Sequence, residues 1–285
     1  MKCLILFMSV IIYVSKLFGQ QTIKVIDTTS NLPVSYATVT ITNKSIGLIT
    51  SSDGIFRIKF EDNDSILITS AEYDAFLILG KNIKDTVRLK RKFVSLNPIS
   101  IYAKPFTSLK LGNNRIKKGI WSWQASENHE FAQKIFIPPT PSRYKVKKVF
   151  IPVDKRTKCP SLLLLRLYLA DTLKNVPGEE VLCKLIVSDD SLIRKGMLNV
   201  DISSSNLFFS SNDSFFVSIT WPPGSLDNPC KTLLRLSKFS TSQTYYRAST
   251  LHSFQWVRRG KMRDLKNEDD FSMNCFFSVE ADVYK

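Results

Sequence analysis

The sequence has little of what a catalytic centre requires. Histidine occurs only 2 times in 285 residues, at His129 and His252, and no Gly-x-Ser-x-Gly elbow, His-Glu-x-x-His pair or catalytic-cysteine signature is present. No two cysteines have the close Cys-x-x-Cys spacing that structural zinc sites favour. These absences predict a protein that is not an enzyme and holds no metal or cofactor, with a hydrolase of unrecognised site as the least supported alternative.

Adjacent acidic pairs are the remaining candidates for acid and base chemistry. Three such pairs stand at Glu179-Glu180, Asp189-Asp190 and Asp269-Asp270. A glycosidase needs two carboxyl groups at a defined separation across its substrate. Each pair falls in a predicted loop, where carboxylates are usually solvated, so we assign them no catalytic role.

Helical periodicity is also scarce, and from Gln21 onward the dominant pattern alternates apolar and polar residues. In the segment ATVTIT, Val39 and Ile41 alternate with threonines, which is the period of a β-strand. The segment SLLLLRLYLAD places four leucines on one face and three other side chains on the opposite face: Leu163, Leu165, Leu167 and Leu169 against Leu164, Arg166 and Tyr168. We therefore predict an all-β protein, with this segment as a half-buried strand of a sandwich.

The one long apolar run lies at the start of the chain. Residues 4–14 (LILFMSVIIYV) follow the positive Lys2 and have the length of the apolar region of a signal peptide. We predict that residues 1–19 are a signal peptide cleaved after Gly19, with a retained N-terminal anchor as the alternative. The protein is then exported to the periplasm, the outer membrane or the cell surface, and it contacts membrane only peripherally.

Export agrees with the cysteines that follow the predicted signal peptide. Four remain: Cys159, Cys183, Cys230 and Cys275. An even number of cysteines in an oxidising compartment predicts disulfides, and four allow three pairings that sequence alone does not separate. The alternative is that they are buried thiols, because isolated cysteines often lie in cores.

Acidic residues are much fewer than basic ones. The chain has 25 acidic against 40 basic residues, a formal net charge of +15, and most of the excess lies beyond residue 103. Such a field attracts anionic lipid, lipopolysaccharide or acidic glycan, whereas export and the lack of a recognition helix argue against nucleic acid. The alternative, which we favour, is that dispersed lysines keep solvent-facing strands soluble.

The chain divides at a polar, basic stretch. Residues 104–118 (KPFTSLKLGNNRIKK) contain Pro105, Gly112 and two asparagines and are predicted to be a linker. Residues 20–103 then form a small sandwich of short strands. Residues 119–285 contain eight to ten longer strands, which predict a jelly-roll-like sandwich.

The N-terminal segment resembles a known family in the order and spacing of nine residues: Val25, Asp27, Pro33, Ala37, Val39, Thr50, Asp53, Gly54 and Phe56. In this respect it is similar to the carboxypeptidase-like regulatory domain, found at the N-terminus of many exported proteins of the Bacteroidota. The resemblance implies a seven-stranded transthyretin-like (prealbumin-like) sandwich with an accessory role. It implies no peptidase activity, because the zinc-bearing domain is a different one. The C-terminal half resembles domains of uncharacterised Bacteroidota proteins, and that resemblance carries no activity.

The acidic corner Asp53-Gly54 has two interpretations. Gly accepts positive φ and Asp hydrogen-bonds nearby amides, so the pair predicts a hairpin turn that leads Phe56 into the core. A calcium corner with Asp62 and Asp64 is the alternative, but the Asp-x-Asp-x-Asp-Gly spacing and the terminal glutamate are missing. We predict the turn.

Tryptophans are the remaining candidates for ligand binding. Trp121 and Trp123 stand two residues apart and would share a strand face, as a sugar-stacking platform requires. Trp221 precedes Pro222-Pro223-Gly224 and is predicted to lie at a loop mouth. We therefore predict a non-enzymatic binding or structural module of the cell envelope, with an envelope component or extracellular glycan as partner. The alternative is a carbohydrate-binding module that uses Trp121, Trp123 and Trp221.

Overall fold

The computed structural model describes residues 20–92, 104–112, 121–123, 127–140, 142–155, 161–189, 191–211, 213–225, 232–239, 244–248, 255–258, 262–263 and 270–284. The predicted signal peptide therefore lies outside the described residues. Within these ranges the structure contains no helix that could span a bilayer.

Strands make up nearly all of the regular structure. Their bounds are β1 (Gln21–Asp27), β2 (Thr38–Ile41), β3 (Ile46–Ile49), β4 (Ile55–Ile58), β5 (Ser65–Ser70), β6 (Tyr73–Leu79), β7 (Thr86–Leu89), β8 (Thr107–Gly112), β9 (Trp121–Trp123), β10 (Glu130–Phe136), β11 (Arg143–Lys155), β12 (Ser161–Asp171), β13 (Val176–Ser188), β14 (Ile193–Arg194), β15 (Met197–Asp201), β16 (Phe208–Ser210), β17 (Ser214–Thr220), β18 (Thr232–Phe239), β19 (Thr244–Arg247), β20 (Val257–Arg258), β21 (Met262–Arg263), β22 (Asp270–Cys275) and β23 (Ser278–Tyr284). Two short 3-10 helices occur at Gly80–Asn82 and Ser203–Ser205. The predicted all-β class is confirmed.

The N-terminal sandwich consists of seven strands in two sheets. One sheet has the order β4-β1-β7 and the other has the order β3-β2-β5-β6. Neighbouring strands are antiparallel except for β1 and β7, which are parallel. Alternate side chains of facing strands, such as Val39, Phe56 and Ile66, are buried between the sheets. The predicted seven-stranded sandwich is thus confirmed, whereas membership of the regulatory-domain family stays a prediction.

The Asp53-Gly54 corner is a turn, but not a hairpin. It links β3 and β4, which belong to different sheets, so the chain crosses the sandwich at this point. Gly54 has φ +69 and donates its N–H to Ser51 O at 3.0 Å, and Phe56 enters the core as predicted. Asp64 accepts hydrogen bonds from Lys44 and Asn43, which is the role of a structural acid. The hairpin prediction was wrong because a local turn signal does not say which sheet the next strand joins.

Replacing Gly54 with alanine is expected to destabilise the N-terminal sandwich. A Cβ at this position would lie 2.5 Å from Val25 O, in a backbone conformation that costs non-glycine residues about 1–2 kcal/mol before any clash. Gly224→Ala is the matched control, since Gly224 has φ +78 but no atom near the added Cβ. Thermal unfolding should show the larger loss for Gly54→Ala; equal losses would contradict the steric argument.

The C-terminal sandwich packs a six-stranded sheet against a ten-stranded sheet. The smaller sheet has the order β13-β12-β17-β10-β19-β20. The larger has the order β14-β15-β11-β18-β22-β21, with β16 and β23 paired to β11, β8 paired to β23, and β9 paired to β18. Leu165 and Phe215 of one sheet and Val149 and Val279 of the other are among the side chains that fill the core. The predicted architecture of two successive β-sandwiches is confirmed.

The predicted linker is wrong over part of its length. Residues 107–112 form β8, which pairs with β23 along its whole length, and Leu111 is buried in the C-terminal core. Pro105 precedes a short strand and Gly112 is its last residue, so neither marks a flexible segment. Residues 104–106 precede this strand, and residues 113–118 of the predicted linker lie outside the described residues.

The leucine-rich strand β12 departs from its predicted half-buried pattern. Leu163, Leu165 and Leu167 face the C-terminal core as expected. Arg166 and Tyr168 on the opposite face are also buried, because that face is covered by the N-terminal sandwich. The two domains are therefore joined through a face that the sequence pattern assigned to solvent.

Candidate functional site

The two sandwiches meet at Arg166, which lies in the middle of β12 and has 0% of its surface exposed. Its guanidinium donates to Thr38 Oγ1 at 2.8 Å and to the carbonyl oxygen of Tyr36 at 2.6 Å, both in the N-terminal sandwich. It also lies 3.3 Å from the Glu180 carboxylate on the neighbouring strand β13. Arg166 thus joins an ion pair of one domain to the backbone of the other.

A second buried ion pair lies beside the first. Arg247 on β19 donates from Nε and from its terminal nitrogen to Glu130 Oε2, at 2.8 and 2.7 Å. Glu130 Oε1 accepts from Tyr168 at 2.8 Å and from the Ser218 hydroxyl. Arg247 also donates to Tyr168 Oη at 2.9 Å. The four charged groups and the phenol form one hydrogen-bonded network, which we call the interdomain network: Arg166, Glu180, Glu130, Arg247 and Tyr168.

Burial and charge shift the pKa values within this network. Burial raises the pKa of Glu180, against the attraction of Arg166. Burial alone would also raise the pKa of Glu130, but the charges of Arg247 and Arg166 hold it below its ordinary value. Burial raises the pKa of Tyr168 well above its usual range, so the phenol keeps its proton and donates to Glu130. Glu130 is therefore the anion on which the network converges.

A cleft of about 380 Å³ opens beside the network, between the two domains. Both domains line it, with residues that are mostly charged or carry hydroxyl groups: Thr38, Thr69, Ser70, Tyr73, Asp74, Ala75, Lys92, Tyr168, Gly178, Glu179, Glu180 and Arg247. An ion pair crosses between the domains here, with Lys92 Nζ 2.5 Å from Glu179 Oε1. We call this space the interdomain cleft.

A second cleft of about 260 Å³ lies where the β5–β6 turn meets β13. Its lining includes Tyr36, Glu72, Cys183 and Leu185. Burial raises the pKa of the Cys183 thiol to about 12. Because the thiolate is the nucleophilic form of cysteine, this residue is placed as an inert part of the domain interface.

Trp221, one of the three tryptophans predicted to bind sugar, lies in the core instead. Trp221 is 3% exposed and packs edge-on against Phe131, with 6.4 Å between ring centroids. Its Nε1 donates to Thr232 O at 3.2 Å, so the ring closes the core and does not reach a loop mouth. Trp121 and Trp123 lie on β9, paired with β18, but their side chains are outside the described residues and their role stays a prediction.

The fold separates the two candidate cysteines that the structure describes. Cys183 lies at the domain interface and Cys275 in the C-terminal core, and these two form no disulfide with each other. The pairing that joins these two, one of the three that the sequence left open, is therefore not formed, because the two thiols lie on opposite sides of the smaller sheet. Cys159 and Cys230 lie outside the described residues and remain disulfide candidates.

The described members of the three acidic pairs lie in different kinds of structure. Glu179 and Glu180 lie on β13 and not in a loop, and Glu180 belongs to the interdomain network. Asp189 accepts backbone N–H groups of a tight turn, from Ser191 and Leu192. The other acids, Asp190 and Asp269, lie outside the described residues, and Asp270 begins β22.

The histidines do not strengthen the hydrolase alternative. His129 is half-buried, and burial lowers its pKa, which favours the neutral imidazole. His252 lies outside the described residues. The prediction that the protein is not an enzyme therefore stays a prediction.

Sequence reasoning missed the interdomain network. The available signal was a single arginine within a run of leucines, LLLLRLYLA. A charge in such a run must reach solvent or a buried partner. Alternation alone assigned it to solvent, because the second sandwich that covers this face is distant in sequence.

Comparison with known proteins assigns no family to the chain. No family model matches, and no curated protein matches. Among solved structures, the chain is similar to the cysteine protease and lectin-like domains of Cwp84, a surface layer associated protein of Clostridium difficile, with a TM-score of 0.38 and 11% identity. The match covers 94% of this chain and 59% of that one. A second likeness, to the infectious bursal disease virus VP2 subviral particle, has a TM-score of 0.23 and 10% identity, over 81% of this chain and 54% of that one. The chain therefore spans little more than half the length of these structures, and both scores are too low to support an inference.

Proposed function

We propose that the protein is an exported, non-enzymatic binding module of the cell envelope, and that it binds its ligand in the interdomain cleft. The N-terminal sandwich serves as an accessory domain that completes the cleft. The observation that carries the proposal is that both domains line this space while a buried charged network holds them together. Ligand sites occur preferentially at such domain junctions and have volumes of about 300–1,000 Å³.

The chemistry of the cleft suits recognition rather than turnover. Hydroxyl groups of Thr38 and Thr69 and the carboxylates of Asp74 and Glu179 offer hydrogen bonds to a polar ligand. Of the two acids of the adjoining interdomain network, Glu180 lines the cleft and Glu130 does not, and each is held by an arginine. An acid fixed in a buried ion pair stabilises the domain junction and is poorly placed to exchange protons with a substrate.

Carbohydrate binding is the second candidate function. The hydroxyl and carboxylate lining of the interdomain cleft is a donor and acceptor set that matches sugar hydroxyl groups. The tryptophan platform, by contrast, retains only Trp121 and Trp123, since Trp221 closes the core. The two sites separate by mutation.

The test combines location with binding. Cell fractionation and protease accessibility establish whether the protein is exported. Isothermal titration then measures binding of the full mature chain to a panel of envelope polysaccharide fragments, alongside Asp74→Ala/Glu179→Ala, which removes two acids from the cleft. We expect this variant to lose tenfold or more in affinity, on the order of 1.4 kcal/mol, because two hydrogen-bonding groups are lost.

The matched control is Asp62→Ala/Asp85→Ala, which removes two exposed acids that line neither cleft. Equal losses in both variants, or a wild-type chain that stays in the cytoplasm, would contradict the proposal. Loss of binding only in Trp121→Ala/Trp123→Ala would move the site to the tryptophan platform. Turnover of a glycoside or peptide substrate would overturn the non-enzymatic assignment.

A further inference from the structure

The larger sheet of the C-terminal sandwich carries a strip of cations on its outer face. Along β11 the side chains of Tyr144 and Val146 point into the core, and the alternate residues therefore point outward. A β-bulge between Val146 and Lys148 adds one residue, so two consecutive lysines face outward. We call this strip the basic face, and its cations are Lys110, Arg143, Lys145, Lys147 and Lys148.

Strand pairing places the cations in rows across the sheet. Glu280 on β23 is paired with Lys110 of β8 on one side and with Lys148 of β11 on the other. Lys148 Nζ lies 3.6 Å from Glu280, and Lys147 Nζ lies 3.2 Å from Asp282. Acids and lysines therefore alternate across the strip.

The cations outnumber the acids on this stretch. From Arg143 to Phe150, with the strand segments paired to it, the described residues include five cations against three acids, the third being Asp201 opposite Lys148. The carboxylate of Asp201 also accepts hydrogen bonds from the N–H and the hydroxyl group of Ser203. At ~3.3 Å per residue the stretch is roughly 26 Å long, so an extended ligand can contact several cations at once.

Two of the cations lie over aromatic rings and have no acid at hydrogen-bonding distance in the described structure. Lys110 Nζ is 4.4 Å from the centre of the Phe150 ring, and Lys145 Nζ is 5.8 Å from that of Phe208. A ring under an ammonium group orients the cation without neutralising it. These two lysines are therefore placed to pair with an anion from outside the protein.

We propose that the basic face binds an acidic polysaccharide, whose anionic groups pair with Lys110 and Lys145 and whose hydroxyl groups bond to the interspersed acids. The surplus of cations selects a polyanion. Glu280, whose side chain is 31% exposed, accepts hydrogen bonds from sugar hydroxyls, whereas it would repel the closely spaced phosphates of an anionic bilayer. The half-buried ring of Phe150 and the 36% exposed ring of Phe208 each lie beneath a lysine, so insertion of either ring into lipid would also bury an ammonium group. This surface is separate from the interdomain cleft.

The test uses polygalacturonate as the acidic polymer, neutral dextran as comparator and phosphatidylglycerol vesicles as the bilayer. We expect the full mature chain to bind polygalacturonate and not dextran. Binding should weaken about tenfold between about 50 and 200 mM sodium chloride, because the Debye length shortens over this range. Lys110→Gln/Lys145→Gln should bind about fivefold more weakly or worse, since two charge contacts at the surface are lost.

The control is Lys24→Gln/Lys84→Gln, which removes two exposed lysines from the N-terminal sandwich and so changes the net charge equally. Thermal unfolding of both variants checks that neither loses its fold. Similar weakening in the two variants would overturn the proposal, because the effect would then follow net charge. Failure to bind polygalacturonate, equal binding to dextran, or binding to the vesicles alone would overturn it as well.

Discussion

Replacing Arg166 with methionine is expected to release the N-terminal sandwich from the C-terminal one. The change leaves the Glu180 carboxylate buried without its cation and leaves Thr38 Oγ1 and Tyr36 O without their donor. Removal of one member of a buried ion pair costs about 3–5 kcal/mol. We expect calorimetry to show two separate transitions in this variant, with the N-terminal sandwich unfolding first.

Two further variants test whether the ion pair causes the effect. Arg166→Met/Glu180→Leu removes both charges and should recover most of the lost stability, since an apolar replacement of a whole buried pair is often close to neutral. Arg57→Met removes an exposed arginine from β4 and should change stability by less than about 0.5 kcal/mol. A single unperturbed transition in Arg166→Met would show that other contacts hold the domains together.

Glu130→Leu is expected to destabilise the C-terminal sandwich itself. Glu130 has 0% exposure and accepts from Arg247, Tyr168 and Ser218. Its removal leaves a buried guanidinium uncompensated at the junction of β10 and β19, at a cost of about 3–5 kcal/mol. Denaturant unfolding should show this loss in the midpoint, with little change in the slope.

A double-mutant cycle separates this pair from its surroundings. Arg247→Met alone should cost about as much as Glu130→Leu, and the double variant should cost much less than the sum, because the unpaired charge is absent. Simple additivity would mean that the two groups do not depend on each other. Asp213→Leu, which changes an exposed acid, is the control for loss of one negative charge.

The Arg166→Met variant also tests the proposed function. The interdomain cleft exists only while the domains stay docked, because residues of both line it. Arg166→Met should therefore weaken ligand binding even though Arg166 does not line the cleft. The basic face lies on the larger sheet, away from the domain junction, and its binding to an acidic polymer should survive undocking.

The local sequence pattern correctly predicted structural features that depend on a single segment of the chain. The alternation in ATVTIT correctly placed Val39 in the core, because a strand buries one face whatever its neighbours are. Phe56 also enters the core, as the turn before it predicted. The Asp53-Gly54 turn was also correct, since Gly54 adopts the positive φ that glycine favours. The predicted hairpin was wrong, because β4 pairs with β1 in the sheet opposite the one that contains β3.

Partner choice and domain contact could not be read from local pattern. Residues 107–112 look like a linker by composition and become a strand because β23 offers a free edge. Trp221 looks like a loop residue and becomes core because its strand ends over Phe131. In each case the deciding contact comes from a residue distant in sequence.

The sequence by itself determined the all-β class, the two sandwiches and the inward side chains of most strands, because these follow from the two-residue period of an extended chain. Only the tertiary structure decided that a second sandwich covers the outer face of β12, and hence that Arg166, Glu180, Glu130 and Arg247 are buried together. The physical reason is that alternation tells which side chains share a face, whereas burial of a face depends on what packs against it.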